Sequence, residues 1–277
     1  MKKMLFTAAL AAALTMFFSV TAYAVSAKFD TSKAENGIVT ITLSNVGSEI
    51  IGAHVQKGND QKNAYQYRKI NNVTSLPLQM GPGEYTIRVL RLVEGNTYKP
   101  VEAIKIDVKT IDEKAMFTSS NLHVDFAASK TAIPTLAKLS DGKTKDADKA
   151  APVYEEIVKT FKYDNDLAAK ILAKTVTMYV PVIDPVFDAK KGICYDYAAV
   201  LGGALRNLGI PTKMVFGIVP ELTNKDGTYV EHAWNEVLID GKWLRVDATF
   251  DTSEFLAGRK FSMTTRKSSE TTILKTF

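Results

Sequence analysis

Alternating apolar and polar residues mark three segments in the first part of the chain. They are residues 37–43, 85–92 and 103–108. A period of two is the pattern of a β-strand with one buried and one exposed face. Gly81-Pro82-Gly83 and Glu94-Gly95-Asn96 supply turn signals on either side of the second strand. Several short strands in succession predict a small all-β, sandwich-like domain, which we place at residues 25–110. Packing against a second domain is its expected role, with partner binding as the alternative.

Two later segments repeat their apolar residues at helical spacing. The first predicted helix covers residues 148–162 and places Val153, Ile157, Val158 and Phe161 on one face. The second covers residues 195–208 and ends before Gly209, a residue that commonly terminates helices. The polar stretch before them predicts a connecting region at residues 111–150.

Three further strands are predicted after the second helix. They are residues 214–219, 231–239 and 242–246. Asp240-Gly241 between the last two is a strong signal for a two-residue hairpin turn. The order helix, strand, strand, tight turn, strand predicts a mixed α+β domain, which we place at residues 151–277.

The N-terminus has the three parts of a secretory signal peptide. Met1-Lys2-Lys3 is basic, the region from Leu5 to Phe18 is largely apolar, and Ala22-Tyr23-Ala24 resembles a cleavage site. We therefore predict a signal peptide at residues 1–24 and a secreted or cell-surface protein; a retained anchor is the alternative. No later segment has 18 continuous apolar residues, so no stable membrane insertion is expected after cleavage.

Composition and charge agree with an exported globular protein. The chain is 46% hydrophobic and 23% charged, as is common for soluble domains. Removal of the first 24 of 277 residues leaves 253, enough for two domains. Loss of two lysines lowers the formal charge of +5 to +3. A surplus this small gives no reason to expect a nucleic-acid partner.

Cys194 is the single cysteine of the chain, so no internal disulfide can form. It lies at the start of the second predicted helix, where free backbone N–H groups and the positive end of the helix dipole favour a thiolate. Gly192 allows the chain to enter the helix tightly. A buried, inert thiol is the structural alternative.

A base and an orienting acid can be placed beside this thiol. Of the three histidines, His54 and His123 lie outside the α+β region, and His123 has apolar neighbours. His232 opens a predicted strand, and the hairpin turn brings Asp247 back near it. We therefore predict Cys194 as nucleophile, His232 as base and Asp247 as orienting acid. Each residue alone also fits a structural role, so the prediction depends on their joint order. One cysteine and three scattered histidines show no metal-ligand spacing, and neither a metal nor a cofactor is expected.

Four segments together resemble the transglutaminase-like superfamily. The segments are Gly192-Ile193-Cys194-Tyr195-Asp196, Leu205-Arg206-Asn207-Leu208-Gly209-Ile210-Pro211, His232-Ala233-Trp234-Asn235-Glu236 and Trp243-Leu244-Arg245-Val246-Asp247-Ala248-Thr249. The resemblance covers about residues 150–252. It departs from the common pattern at Ala248, where many members have proline.

The resemblance implies a papain-like fold, in which a cysteine-bearing helix packs on an antiparallel sheet that carries the histidine and the acid. It implies a Cys194-His232-Asp247 triad and acyl transfer from amide bonds. A peptidase or amidase acting on extracellular protein or peptidoglycan peptide is the favoured interpretation. A protein-crosslinking transglutaminase and a non-catalytic binding module that keeps the fold remain open. Tyr163 and Tyr179 are candidates for a second oxyanion donor on position only.

Overall fold

The computed structural model of the protein describes residues 24–59, 64–222, 227–263 and 271–277. Nearly all of the predicted signal peptide, residues 1–23, therefore lies outside the described residues. Within the described ranges no helix is both long and apolar enough to cross a membrane.

The first part of the chain forms two antiparallel sheets. The strands are β1 (Ser26–Asp30), β2 (Ile38–Ser44), β3 (Ile51–Lys57), β4 (Tyr65–Tyr67), β5 (Val73–Pro77), β6 (Gly83–Glu94) and β7 (Thr97–Val108). One sheet has the order β1-β2-β5 and the other β4-β3-β6-β7. Val39 and Ile41 of the first sheet share one core with Val55 and Ile87 of the second, and all four side chains are fully buried. The three strands predicted from alternation correspond to β2, β6 and β7, and the all-β sandwich is confirmed.

The described part of the chain contains seven α-helices, all after the sandwich. They are α1 (Glu113–Met116), α2 (Ala132–Lys138), α3 (Asp146–Thr160), α4 (Asn165–Leu172), α5 (Ile183–Ala189), α6 (Cys194–Asn207) and α7 (Ala248–Leu256). The two helices predicted from periodicity are α3 and α6. Apolar residues of α2, α3 and α5 pack with the buried side of α6 in a common core.

A four-stranded antiparallel sheet lies against α6. Its strands are β10 (Thr212–Ile218), β11 (His232–Ile239), β12 (Lys242–Val246) and β13 (Thr272–Thr276), in the order β12-β11-β10-β13. Asn235 of β11 donates from Nδ2 to the Ala198 carbonyl of α6 at 3.1 Å, which ties helix to sheet. Asp240 and Gly241 have φ angles of +49° and +76°, as the predicted hairpin turn requires. The α+β prediction, with the cysteine-bearing helix on an antiparallel sheet, is confirmed.

One buried arginine joins several of these elements. Arg206 of α6 is 2% exposed. Its guanidinium donates to the carbonyl oxygens of Thr212 at 2.8 Å, Ser119 at 2.9 Å and Phe277 at 2.7 Å. The helix is thereby fixed to β10, to the connecting region and to the residue that follows β13.

The sandwich and the α+β region meet in a group of rings that we call the interdomain aromatic cluster. Its members are Tyr65, Tyr67, His123, Tyr195, Phe216 and Phe277. His123 packs against Phe277 with ring centroids 3.9 Å apart and planes inclined by 46°, and it hydrogen-bonds through Nδ1 to the Tyr195 hydroxyl. Burial lowers the pKa of His123 to about 3, so the ring is neutral. The packing role expected for the sandwich is thus observed at this interface.

Candidate active site

Cys194 is the first residue of α6 and is partly exposed. The chain reaches it through β9 (Lys191–Gly192), which pairs in parallel with β8 (Lys162–Tyr163) and places Gly192 opposite Tyr163. The thiol lines a cavity of about 690 Å³, which His232 also lines. The first-turn N–H groups of a helix have no partner within the helix, so they are available to an anion at this position.

A buried carboxylate fixes the entry into α6. Asp196 is 0% exposed and accepts from the Ile193 N–H at 2.8 Å and from the Tyr179 hydroxyl at 2.6 Å. Burial raises the pKa of Asp196, although these two hydrogen bonds oppose the shift. The contact of Asp196 with the Ile193 N–H is the carboxylate half of a capping box.

Gly192 is required by this arrangement. A Cβ atom added at Gly192 would lie 2.5 Å from Cβ and 2.9 Å from Oδ2 of Asp196. Neither contact can be relieved without moving the capping carboxylate, because Cβ of Asp196 belongs to the helix itself. The tight approach predicted from sequence is therefore present.

Substitution Gly192→Ala is expected to displace the start of α6 and with it the thiol. Overpacking of this kind destabilises a protein by about 1–3 kcal/mol. We expect slower alkylation of Cys194 by iodoacetamide, together with a lower midpoint in urea unfolding. Unchanged alkylation and unchanged unfolding would show that the helix start tolerates the methyl group.

His232 and Asp247 form a buried pair. His232 is the first residue of β11, and its Nε2 lies 2.9 Å from Oδ2 of Asp247. His232 is 3% exposed and Asp247 is 1% exposed. Asp247 is also the N-cap of α7, since its Oδ1 accepts from the Phe250 N–H at 3.3 Å. Arg245 donates from Nη2 to the same Oδ2 at 3.3 Å. The acid is thus held from three sides.

Electrostatics keep this pair charged. Burial by itself would lower the pKa of His232, but the charge and hydrogen bond of Asp247, with a contribution from Cys194, raise it to about 10. Burial would likewise raise the pKa of Asp247, but His232, Arg245 and the Phe250 N–H hold it below its usual range. Because the pKa of His232 is raised on folding, the contribution of this residue is fully present below about pH 6.5 and is lost as pH rises through about 10. Because the pKa of Asp247 is lowered, the contribution of the carboxylate is lost in acid, as pH falls through that lowered pKa.

The thiol and the imidazole are in contact. A hydrogen bond with Cys194 is among the interactions that raise the pKa of His232. Since Nε2 is bonded to Asp247, Nδ1 is the nitrogen left for the thiol. The structure therefore brings Cys194, His232 and Asp247 together in the predicted order. Their catalytic roles remain predictions.

The strand register explains how Asp247 reaches His232. The ladder between β11 and β12 pairs Asn235 with Val246. Continued by one residue, this register sets Asp247 opposite Trp234 rather than His232. The contact is therefore diagonal, between residues two positions apart along the strand, and it stays within the reach of long side chains.

Of the two tyrosines proposed as oxyanion donors, both line the cavity. Tyr179 donates its hydroxyl hydrogen to Asp196, so it is occupied. Burial, and then the charges of Cys194 and Asp196, raise the pKa of Tyr163 to about 12, so this hydroxyl keeps its proton. Tyr163 is the better candidate of the two, and the assignment stays a prediction.

Two polar residues of the sandwich also line the cavity, and no sequence pattern predicted either of them. They are Arg68, just after β4, and Asn96, in the turn between β6 and β7. Within the described ranges, no group of three or more His, Cys, Asp or Glu residues could hold a metal ion.

Comparisons with known proteins give one family match and several similar solved structures. Residues 134–248 match the model of the transglutaminase-like superfamily. No curated protein matches the chain. Similar solved structures include a TGase with 23% identity and a TM-score of 0.37. The match covers 52% of this chain and 35% of the TGase chain. A candidate cysteine protease from Cytophaga hutchinsonii has 14% identity and a TM-score of 0.40. The match covers 83% of this chain and 76% of the Cytophaga chain. Red sea bream transglutaminase has 13% identity and a TM-score of 0.28. The match covers 76% of this chain and 48% of the red sea bream chain.

The family match covers residues 134–248, a range that includes Cys194, His232 and Asp247. The chain spans about a third of the length of the TGase that it resembles.

Proposed function

We propose that the protein is a secreted cysteine-dependent acyl-transfer enzyme that hydrolyses amide bonds of extracellular protein or peptidoglycan peptide. The observation that supports this most strongly is the buried His232–Asp247 pair, with Nε2 and Oδ2 2.9 Å apart, in contact with a cysteine at a helix N-terminus. The signal-peptide pattern at residues 1–24 supports the extracellular location.

The proposed reaction has two halves. The Cys194 thiolate attacks the amide carbonyl carbon and forms a C–S bond, and the carbonyl oxygen becomes an oxyanion. N–H groups at the start of α6 stabilise this oxyanion. The C–N bond then breaks, and the imidazolium of His232 gives its proton to the leaving amine. In the second half His232 takes a proton from water, and the hydroxide attacks the thioester to release the acid and the thiolate.

Water is the proposed acceptor of the acyl group because, unlike an amine substrate, it needs no second binding site. Incubation with a primary amine separates this proposal from crosslinking: a hydrolase yields the free acid, whereas a transglutaminase yields the amine conjugate. Mass spectrometry of the products of one peptide amide would distinguish the two.

Alkylation of Cys194 by iodoacetamide across about pH 4 to 9 tests the nucleophile. The contact with His232 and the position at the N-terminus of α6 both favour the thiolate, so fast alkylation is expected well below pH 8. The variant His232→Ala should be alkylated slowly at low pH, with a rate that rises only near the free-thiol value of about 8.5.

The matched control is His54→Ala, which removes a partly buried histidine of β3 that lies outside this cavity. It should be alkylated like the wild type. Slow alkylation of the wild type, equal to that of His232→Ala, would reject the enzyme and leave a fold used for binding.

A further inference from the structure

We infer that the β-sandwich contributes a carboxylate-binding subsite to the cleft, centred on Arg68, so that the preferred acyl donors carry an acidic group close to the scissile amide. This inference rests on the proposed function, and it names the substrate class of the same cleft. It gives the sandwich a role in substrate selection in addition to packing.

The backbone at Arg68 is held firmly. The preceding residue, Tyr67, belongs to the interdomain aromatic cluster and is 4% exposed. The Tyr98 hydroxyl donates to the Arg68 carbonyl at 2.8 Å. A Cβ atom at Gly52 would lie 2.6 Å from the Tyr67 carbonyl oxygen and 3.2 Å from that of Arg68. Only glycine lets β3 and this segment approach so closely, and the approach fixes where Arg68 enters the cleft.

The side chain of Arg68 is oriented as well. Its Nη2 donates to Oδ1 of Asn96 at 2.8 Å, and both residues line the cavity that contains Cys194. A guanidinium has five N–H donors in a planar fork, so this one bond leaves donors for a carboxylate. Because Asn96 already holds the side chain, less conformational entropy is lost when an anion binds.

The charge balance of the cleft favours an anionic group. Lys174 lines the cavity together with Arg68, while Glu231, next to His232, is the single acid among the described lining residues. Ile171 and Leu172 supply an apolar wall from α4. This combination fits an extended peptide with aliphatic contacts and one carboxylate, rather than a basic peptide.

The size of the cleft limits how far that carboxylate is from the reacting bond. Arg68 and Cys194 line the same cavity of about 690 Å³, and an extended chain advances about 3.3 Å per residue. The acidic group is therefore to be sought at the first few residues from the scissile amide.

Inactivation by matched peptide chloromethyl ketones tests the subsite. Each probe pair differs only in glutamate against glutamine, at the first, second or third residue from the reacting carbon. In the wild type at least one glutamate probe should inactivate Cys194 about ten-fold faster than its glutamine partner. In Arg68→Gln this preference should fall to about one, because the glutamate probes lose their cationic partner. Arg91→Gln is the matched control, since it removes an arginine of the same sheet that is paired with Glu49 and lies outside the cavity.

Two different failures can be told apart. The absolute rate with iodoacetamide reports on the nucleophile, and slow reaction there contradicts the proposed function. The ratio of glutamate to glutamine rates reports on the subsite even when both are slow. A ratio near one at all three positions, or a preference that persists in Arg68→Gln, would overturn the carboxylate subsite.

Discussion

Replacement of Asp247 by asparagine is expected to lower kcat/KM for amide hydrolysis by about 10³- to 10⁴-fold, the loss seen when a triad aspartate is replaced in this way. The asparagine can still cap α7 and is nearly the same size, so the fold should persist. What is lost is the buried charge that holds His232 as imidazolium through Nε2. The measurement is kcat/KM for a peptide amide over a range of pH.

The pH profile of kcat/KM shows in which direction the pKa of His232 moves in Asp247→Asn. Asp247 raises the pKa of His232 against the opposing effect of burial. Without that charge the pKa of His232 should fall, and the alkaline limb of kcat/KM should move from near pH 10 to lower pH. A uniform loss at every pH, with the limb in place, would mean that Asp247 acts only through structure.

Asp164→Asn is the matched control for the capping role of Asp247. Asp164 is the N-cap of α4 and accepts from the Leu167 N–H at 3.0 Å, but it contacts no histidine in the described structure. This variant should keep kcat/KM within a few-fold of the wild type. An equally large loss in Asp164→Asn would assign the effect to helix capping.

The second large effect is on stability. Substitution Arg206→Met is expected to lower the free energy of unfolding by about 3–5 kcal/mol, because each buried carbonyl left without a donor costs about 1–3 kcal/mol. Methionine fills similar space, but the carbonyl oxygens of Thr212, Ser119 and Phe277 would lose their donor. Urea unfolding followed by tryptophan fluorescence gives the value.

Arg259→Met provides the comparison at the surface. Arg259 pairs with Glu254, and its side chain is 62% exposed, so its removal should change stability by no more than about 1 kcal/mol. Equal effects of the two substitutions would show that the three carbonyl contacts of Arg206 contribute little.

Local sequence signals accounted for much of the site. Gly192 before a helical period placed Cys194 at the start of α6, and Asp240-Gly241 placed β12 beside β11. These features depend on a few neighbouring residues, so sequence alone can reveal them. The diagonal contact between His232 and Asp247 was only approximately foreseen, because it depends on how β11 and β12 twist and on the cap of α7.

Other features required the folded chain. Arg68 is separated by more than a hundred residues from Cys194, and its neighbours show an ordinary strand pattern. Arg245 and Arg206 look like surface residues in the sequence, yet each is 2% exposed. The helix α3 begins at Asp146, two residues earlier than predicted, and Pro152 lies inside it. These features depend on packing between distant parts of the chain, so the local sequence pattern does not predict them.

The interdomain aromatic cluster limits how this protein can be recombined with others. Phe277 packs on Tyr65 and Tyr67 of the sandwich and on His123 and Phe216 outside it. Exchange of the sandwich for an unrelated β-domain would remove two of these rings together with one side of the cleft. A new specificity is therefore expected to be easier to engineer by point substitutions at the rim of the cleft than by exchange of the whole domain.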